Sequence, residues 1–476
     1  MARLSCFLLA TALALPGNWA AADALNLPDL GDSSATVISP AEERKLGEDF
    51  MRRARSSLAI SDDPEVTTYV QTLGQKLVAR SDQPGMPFHF FVVADPSINA
   101  FAVPGGFIGV HTGLLLAAES EAELASVLAH EIAHITQRHI PRLLADQQRS
   151  MPAMAALLAA VLLAGRGDAA IALTGAAMAQ RGINFTRSAE EEADRIGIRL
   201  LAEAGFDPRA MPAFFERMQA LNRHNETDLP EFLRTHPVTT ARIADSRSRA
   251  EQHPYRQVPD SLEFRLVQAK LRATAPGDPV EIARGFAANL AEGKSANLEA
   301  ERYGYALALA RARNYEGARR EAARLRERDA DNMYYRLLQA EIELGAGRTE
   351  QGLRYYADAY RRDPTYYPLA LNYARALVRT QRTREAEPIL RAAIKQRPDD
   401  PVLYELLSQA AGANGKLAEA HQALAEHYYL RGDARAALEQ LRLASRRAGN
   451  NFYLQSSIEA RMQAIREEAA QLSERK

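Results

Sequence analysis

The chain has 476 residues, of which 47% are apolar and 25% are charged, and its formal net charge is −1. This length allows two or three domains with a substantial hydrophobic core. The near-neutral charge excludes a protein that binds nucleic acid or an acidic membrane surface mainly through its overall charge.

Residues 1–22 are predicted to be a secretory signal peptide. Arg3 gives a short positive region, and the apolar run over residues 4–15 is too short to span a bilayer. Ala20 and Ala22 then form an A-x-A cleavage pattern. A buried N-terminal helix is the alternative interpretation.

Removal of this segment would leave a chain without cysteine or tryptophan. The single cysteine is Cys6 and the single tryptophan is Trp19. The remaining chain is therefore expected to enter an oxidising compartment without a disulfide, so that packing and metal binding must stabilise it.

A small antiparallel sheet is predicted after an initial helical region over residues 38–80. Residues 88–94 are rich in aromatic and β-branched side chains, and the sequences AFAV and GFIGV flank Pro104, Gly105 and Gly106. Short apolar runs around a proline-glycine pair are typical of a hairpin.

The next predicted helix, over residues 119–139, carries the sequence HEIAH. Residues i and i+4 share one face of a helix, so His130 and His134 can bind one metal ion through their imidazole nitrogens. Glu131 lies about 100° round from His130, where a general base can take a proton from water. Two partly buried polar histidines are the alternative. His139 is expected to point away, toward the surface.

A catalytic zinc ion needs a third protein ligand and an open fourth position. The segment RSAEEEADRIG offers the third ligand, because Glu190 and Asp194 are again four residues apart, with Gly197 following. Glu190 can reach the metal, and Asp194 can orient a ligating histidine or hold a proton. A solvated acidic patch is the alternative for this charge run.

Two further segments divide the chain into domains. Residues 151–180 form an alanine-rich helical hairpin whose arms are too short to cross a membrane, so it is either buried or a lid or membrane-surface contact. Residues 253–278 look like a linker, since they contain HPYRQVPD and ATAPGDP. The first domain is therefore predicted to span 23–252 and the second 279–476.

The second domain repeats with a period of 34 residues. Small residues at helix crossings and prolines at repeat boundaries recur at this step, a tetratricopeptide pattern. The array is expected to end by sharing one helix between units, with a capping helix over residues 451–473. The recurring positions are Ala306, Ala340, Ala374 and Ser408; Ala318, Gly352, Ala386 and Ala420; and Pro364 and Pro398.

The combination of HEIAH, EEEAD and a downstream glycine resembles the M48 family of zinc metallopeptidases. Together with the signal peptide and the repeats, nearly the whole mature chain resembles the periplasmic branch of that family. The resemblance implies a mainly α fold with a small antiparallel sheet, in which an HExxH gluzincin-like domain precedes an α-solenoid of tetratricopeptide repeats.

The resemblance also implies the roles of the site residues. One Zn²⁺ ion would be bound by His130, His134 and Glu190. Glu131 matches the family's general base, and Asp194 matches the acidic residue assigned as proton donor.

A histidine on a loop, His236, matches a residue that can fill the fourth metal position in the periplasmic branch. That branch can also carry a disulfide in its repeats, which this chain cannot form, so redox control of the repeats is not expected. A substrate is expected to pair by β-augmentation with a sheet edge. The predicted edge residues are Gly106, Phe107, Ile108 and Gly109.

The implied function is a periplasmic endopeptidase with a chaperone-like role in the assembly of outer-membrane β-barrel proteins, degrading misassembled ones. The implied partners are those proteins and, through the repeats, the barrel-assembly machinery; neither nucleic acid nor a transmembrane anchor is expected. Of the 17 tyrosines, 15 lie between residues 303 and 453, where they either fill the core or line a groove for partners. The alternative function is a scaffold that acts mainly through its repeats and has a latent metal site.

Overall fold

The computed structural model of the protein describes residues 38–146, 187–224 and 230–474. The predicted signal peptide, residues 1–22, and the predicted alanine-rich hairpin, residues 151–180, lie outside the described residues. Within these three ranges the chain is mainly helical and contains one three-stranded sheet. None of their helices is both long and apolar enough to cross a bilayer.

Up to Thr274, the described ranges contain ten helices and the three-stranded sheet. The helix that carries HEIAH begins at Glu121, where the Ser120 side chain accepts a hydrogen bond from the Glu123 amide, a favourable start for a helix. The elements are α1 (Pro40–Ser57), α2 (Pro64–Val78), β1 (His89–Val93), β2 (Ala100–Val103), β3 (Phe107–His111), α3 (Thr112–Ala117), α4 (Glu121–Thr136), α5 (His139–Asp146), α6 (Arg187–Glu203), α7 (Ala210–His224), α8 (Glu231–Thr235), α9 (Thr240–Glu251) and α10 (Leu262–Thr274).

The sheet is mixed rather than entirely antiparallel, which corrects the prediction. Its strand order is β1-β3-β2, with β3 antiparallel to β2 and parallel to β1. The predicted hairpin is present, because Gly105 and Gly106 turn the chain with φ angles of +83° and +90° that glycine adopts without steric cost. The placement of β1 beside β3 depends on a connection that the local turn pattern does not encode.

The predicted substrate edge is also wrong, because β3 is the central strand and has partners on both sides. The outer edge of β1 is closed as well: the Ser61 amide donates to the Val92 carbonyl at 2.8 Å, and the Ala94 amide donates to the Ala59 carbonyl at 2.7 Å. Strands β1 and β2 are both edge strands of the sheet, and no further strand pairs with β2 among the described residues. The residues that cannot form the edge are Gly106, Phe107, Ile108 and Gly109.

The middle of the predicted linker is a buried helix, α10, so residues 253–278 are not an extended connection. Phe264, Leu266 and Val267 have no exposed surface, and they belong to the same hydrophobic core as residues of α2 and α4. The Ser261 hydroxyl caps this helix by accepting from the Phe264 amide. The turn-forming residues on either side mark the ends of the helix rather than a flexible segment.

The repeats form eleven helices, and the core that contains α10 continues into the first of them. The predicted small residues lie on successive helices; Ala306, Ala340 and Ala374 are all buried. The helices are α11 (Pro279–Glu292), α12 (Leu298–Arg311), α13 (Tyr315–Arg328), α14 (Met333–Gly345), α15 (Thr349–Arg362), α16 (Tyr367–Arg379), α17 (Thr383–Gln396), α18 (Pro401–Ala413), α19 (Leu417–Leu430), α20 (Ala434–Arg447) and α21 (Phe452–Glu474). At the end of the array α19 packs against both α18 and α20, and α21 packs against α20; the sharing of one helix between repeat units stays a prediction.

Candidate metal centre

Helix α4 runs through the core, and its two spaced histidines face the same point. Every residue from Glu123 to Thr136 is buried. The Nε2 atoms of His130 and His134 lie 3.0 Å apart, as expected for residues one turn apart on one helix face.

Helix α6 packs directly against α4 and brings the predicted acidic pair to the histidines. A glycine permits this close approach: a Cβ atom at Gly197 would lie 3.3 Å from the His130 amide nitrogen and 2.7 Å from Met211 Cε. The carboxylate of Glu190 therefore reaches the His130 and His134 rings, at 3.5 Å and 3.4 Å from their Nε2 atoms.

His236 completes a group of four buried side chains. Its Nδ1 atom lies 3.0 Å from Glu190 Oε1 and 3.3 Å from His130 Nε2. One donor atom from each of His130, His134, Glu190 and His236 lies within 4.8 Å of the others. The structure thus brings together all three predicted ligands and the predicted fourth-position residue.

This donor set fits a tetrahedral metal ion. Zinc binds imidazole nitrogen and carboxylate oxygen at about 2.0 to 2.2 Å, which places neighbouring donors roughly 3.4 Å apart. The distances of 3.0–3.5 Å given above match that spacing.

Glu131 is a buried carboxylate that lies beside the four donors. It is completely buried, and within the described residues neither carboxylate oxygen accepts a well-aligned hydrogen bond, although the Ala102 backbone is close enough to act against the rise in its pKa. The His236 Nε2 atom is 3.4 Å from Glu131 Oε1. Because buried polar atoms normally have partners, this carboxylate is placed to receive a polar reactant.

Burial and neighbouring charges shift the pKa values of these groups in different directions. Burial raises the pKa of the Glu131 carboxyl and lowers the pKa of His134 well below its usual value. Burial also lowers the pKa of His130, but its contacts with Asp194 and Glu190 outweigh this effect and raise the pKa to about 10. Imidazole binds metal only when neutral, so metal binding here is expected to release a proton.

Arg242 is part of the site, although sequence reasoning did not find it. It is almost completely buried, and its guanidinium contacts Asp194 through two nitrogens at 2.8 Å each and Glu190 Oε2 at 2.9 Å. It also donates to the Pro237 carbonyl at 2.8 Å. One cation therefore fixes the third ligand, its neighbouring carboxylate and the loop that carries His236. The only local signal is its position six residues after His236.

Asp194 lies behind the histidine rather than beside Glu131. Its Oδ1 atom is 2.9 Å from His130 Nδ1, and both of its oxygens accept from Arg242. These contacts suit the orientation of a metal-binding histidine, one of the two roles considered for this residue. Proton donation by Asp194 stays a prediction.

His139 is buried, which corrects the expectation that it points to the surface. Its exposed fraction is 2%, and its Nδ1 atom lies 2.9 Å from His134 Nδ1. The expectation failed because α4 ends at Thr136, and Arg138 has a φ of 51° that turns the chain back toward the site.

The free edge of β2 borders the centre. The Asn99 carbonyl accepts from the His111 amide at 3.0 Å, so in an antiparallel pair the backbone groups of Ala100 and Ala102 point away from β3. Helix α4 packs against β2. The outer side of β2 is therefore beside the metal centre.

Two family patterns match this chain. Residues 64–250 match peptidase family M48, and residues 343–410 match a tetratricopeptide repeat. The first range contains every residue of the centre, and the second lies within the helical array.

Two bacterial relatives match nearly the whole chain, and a mitochondrial one matches its first part. It is 35% identical over 447 residues to the β-barrel assembly-enhancing protease of Escherichia coli strain K12, covering 93% of this chain and 91% of that protein. It is 34% identical over 449 residues to a putative β-barrel assembly-enhancing protease of Vibrio cholerae, covering 93% of each. The mitochondrial metalloendopeptidase OMA1 of Schizosaccharomyces pombe is 33% identical over 205 residues, covering 42% of this chain and 59% of that protein.

Proposed function

The chain belongs to peptidase family M48, and from this premise we propose that it is a zinc-dependent endopeptidase of the periplasm that acts in the assembly of outer-membrane β-barrel proteins. That it is a metalloendopeptidase follows from the family. The choice of zinc, the compartment and the removal of misassembled barrels are the proposed part. One ion per chain is proposed, because the donor atoms form a single group.

The observation that carries this proposal is the convergence of four donors beside a fully buried carboxylate. His130, His134 and Glu190 come from two helices that are far apart in sequence, yet their donor atoms meet. Glu131 is buried next to them without a hydrogen-bond partner among the described residues. A purely structural cluster would be expected to satisfy that carboxylate.

The chemistry then follows from the positions of the side chains. When bound, zinc would polarise the substrate carbonyl and make a water molecule more acidic. Glu131 would take the proton from that water as it attacks the peptide carbonyl carbon, and would then give the proton to the leaving amine. Asp194 and Arg242 hold His130 and Glu190 in place.

The substrate is proposed to bind as an added strand on β2. An extended polypeptide can pair with the outward backbone groups of Ala100 and Ala102, which places one of its peptide bonds near Glu131. Segments of a β-barrel protein that has not yet closed offer such unpaired strands. The names of the bacterial relatives support this substrate class.

His236 is proposed to close the site at rest. Its Nδ1 atom lies among the other donors, so it can fill the fourth metal position that a reactant needs. Its ring stacks on Phe232 with centroids 5.1 Å apart, and Arg242 holds the next residue. Opening would require movement of this loop.

The direct test is a metal analysis combined with a digest. We expect the purified full chain to contain about one zinc ion and to cleave an unfolded outer-membrane β-barrel polypeptide faster than an unfolded soluble protein of similar length. A chelator should stop the cleavage, and added zinc should restore it. Absence of bound metal, or cleavage that a chelator does not affect, would refute the proposal.

A scaffold with a latent metal site is the second candidate, and the buried fourth-position histidine favours it. Expression of Glu131→Gln in an Escherichia coli strain that lacks its own relative separates the two. Full restoration of barrel assembly by this variant would favour the scaffold. A periplasmic location stays a prediction that depends on residues 1–22.

A further inference from the structure

The two histidines of α4 have different partners at their Nδ1 atoms, the ring nitrogens that face away from the metal centre. The Nδ1 atom of His130 lies 2.9 Å from the Asp194 carboxylate. The Nδ1 atom of His134 lies 2.9 Å from another imidazole nitrogen, His139 Nδ1. A neutral imidazole accepts a weaker hydrogen bond than a carboxylate does. Whether His139 can orient His134 therefore depends on the residues that hold His139.

Metal binding by His134 Nε2 fixes the directions of the hydrogen bonds between His134, His139 and Glu192. His134 Nε2 faces the other donors, at 3.0 Å from His130 Nε2, and needs its lone pair to bind metal. The proton of His134 therefore resides on Nδ1, and His139 Nδ1 must accept it. His139 then carries its proton on Nε2, which donates to Glu192 Oε2 at 3.2 Å.

Glu192 belongs to the same helix as Glu190 and Asp194. Its Oε2 atom also accepts from Arg142 Nη1 at 2.9 Å, which keeps the carboxylate turned toward His139. Helix α6 thus supplies one metal donor and two outer carboxylates, one for each histidine of α4.

The residue before His139 has an energetically unfavourable backbone conformation, which directs the His139 ring toward His134. Arg138 has a φ of 51°, a region that residues other than glycine seldom adopt. Its side chain is tied to α1 and to the residues just before it: Nε donates to Glu43 Oε1 at 2.9 Å, and Nη2 donates to the Ile38 carbonyl at 2.6 Å. Unfavourable backbone angles that are held by surrounding contacts are found at functional sites.

We propose that His139 and Glu192 form a positioning relay for the metal ligand His134, setting its tautomer and ring orientation. This inference rests on the proposed metallopeptidase function, because the relay has a purpose only if His134 binds metal. His139 and Glu192 touch no reactant and act through His134 alone.

Two substitutions of His139 separate the relay from simple packing. In His139→Asn, the amide oxygen can occupy the position of Nδ1 and still accept from His134. In His139→Gln, the amide reaches the position of Nε2 and leaves His134 without its acceptor. Outer-shell substitutions typically cost 10–100-fold in metal affinity. We therefore expect His139→Gln to bind zinc about 10–100-fold more weakly than the unsubstituted chain, and His139→Asn to lose clearly less.

The measurements are zinc affinity by competition with a chelator and the visible absorption spectrum after loading with Co²⁺, both on the full chain. His139→Gln should change the cobalt spectrum, and Glu192→Ala should shift affinity in the same direction by a smaller factor. His421→Gln is the matched control, since this histidine lies in the repeats and contacts Gln440. Thermal unfolding of the metal-free proteins should show that the two His139 variants fold alike.

The outcomes are distinct. Equal losses for the Asn and Gln variants, or affinities within about twofold of the unsubstituted chain for both, would overturn the relay while leaving the peptidase proposal intact. If the unsubstituted chain and His421→Gln both fail to bind zinc or cobalt, the proposed function fails, and the relay fails with it.

Discussion

The peptidase half and the repeat half both bury charged side chains, but they arrange them differently. Around α4 and α6 the buried ionisable groups converge on one point and include a carboxylate, Glu131, with no hydrogen-bond partner among the described residues. In the repeats they form ion pairs, either within one helix or with the start of a later helix. Glu387, for example, contacts Lys416 at 2.7 Å and Arg391 at 2.8 Å.

This contrast separates a reactive arrangement from a stabilising one. Buried charges that converge without full pairing lower the stability of the fold. Such clusters are found mainly at functional sites. Pairing of each buried charge with an opposite one holds helices in register and needs no ligand. Substitutions in the two halves should therefore change different quantities.

The largest effect is expected at the unsatisfied carboxylate. Glu131→Gln keeps the shape of the side chain but removes the base, so peptide cleavage should fall by about 10²–10⁴-fold. Metal content should stay unchanged, because Glu131 is not one of the grouped donors. The measurement is the initial rate on an unfolded β-barrel polypeptide, with zinc content determined on the same sample. A variant that cleaves normally would show that Glu131 is not the base.

The next effect tests whether Arg242 holds the convergent charges in place. Arg242→Ala leaves Asp194 and Glu190 buried without their cation, which should lower the free energy of unfolding by about 3–5 kcal/mol. Urea unfolding of the metal-free protein measures this change. Arg247→Ala is the control from the same helix, because its side chain is 58% exposed and an exposed ion pair contributes at most about 1 kcal/mol. Equal losses for the two variants would argue against the central role of Arg242.

In the repeats, helix spacing rather than charge should be the sensitive quantity. Ala374→Leu adds three carbon atoms at a position that is 1% exposed, and overpacking of this kind typically costs about 1–3 kcal/mol. The exposed Ala392 on the next helix is the control, since a leucine there meets solvent. Thermal unfolding compares the two. Cleavage by folded Ala374→Leu should match the unsubstituted rate.

A smaller change, in the opposite direction, is expected at the fourth metal position. His236→Ala removes the residue proposed to close the site, so the rate of cleavage should rise by about tenfold, a change of about 1.4 kcal/mol in the barrier. His421→Ala in the repeats should leave the rate unchanged. A lower rate for His236→Ala would mean that this ring assists the reaction instead of blocking it.

The smallest effect concerns acid stability in the repeats. Burial acts to raise the pKa of Glu387, but its contacts with Lys416, Arg391 and Asn414 outweigh this and lower the pKa from 4.5 to about 2. A lowered pKa means that the contribution to stability is present above pH 4.5 and is lost as the pH falls toward 2. Glu387→Gln should lower the free energy of unfolding by about 1 kcal/mol or less at pH 7, because the side chains of its partners Arg391 and Lys416 are 45% and 47% exposed. This loss should shrink toward zero as the pH falls to 2 and below. Glu385→Gln, which is more exposed, should show no such pH dependence.

The periodic features of both halves could be predicted from sequence. His130, His134 and Glu190 follow from helical spacing, and the array follows from the 34-residue step. These signals are visible because each is repeated within one helix or one repeat unit.

The features that failed depend on distant parts of the chain. Arg242 has no local pattern that distinguishes it from other basic residues, because its partners lie on α6. His139 was placed on a continuous helix, whereas an arginine in the left-handed region ends that helix. The central position of β3 depends on its pairing with β1, which no turn signal reports.

The unbroken core from α2 through α10 to α14 limits how this molecule can be rebuilt. Relatives such as the yeast OMA1 protein match only 42% of the chain, which suggests two exchangeable modules. However, Lys270 and Tyr303 make buried contacts with Glu65, and these contacts join the two modules. A chimera that joins foreign repeats to this peptidase must therefore include a matching α10. The residues of α2 that contact α10 and the repeats must be substituted to fit.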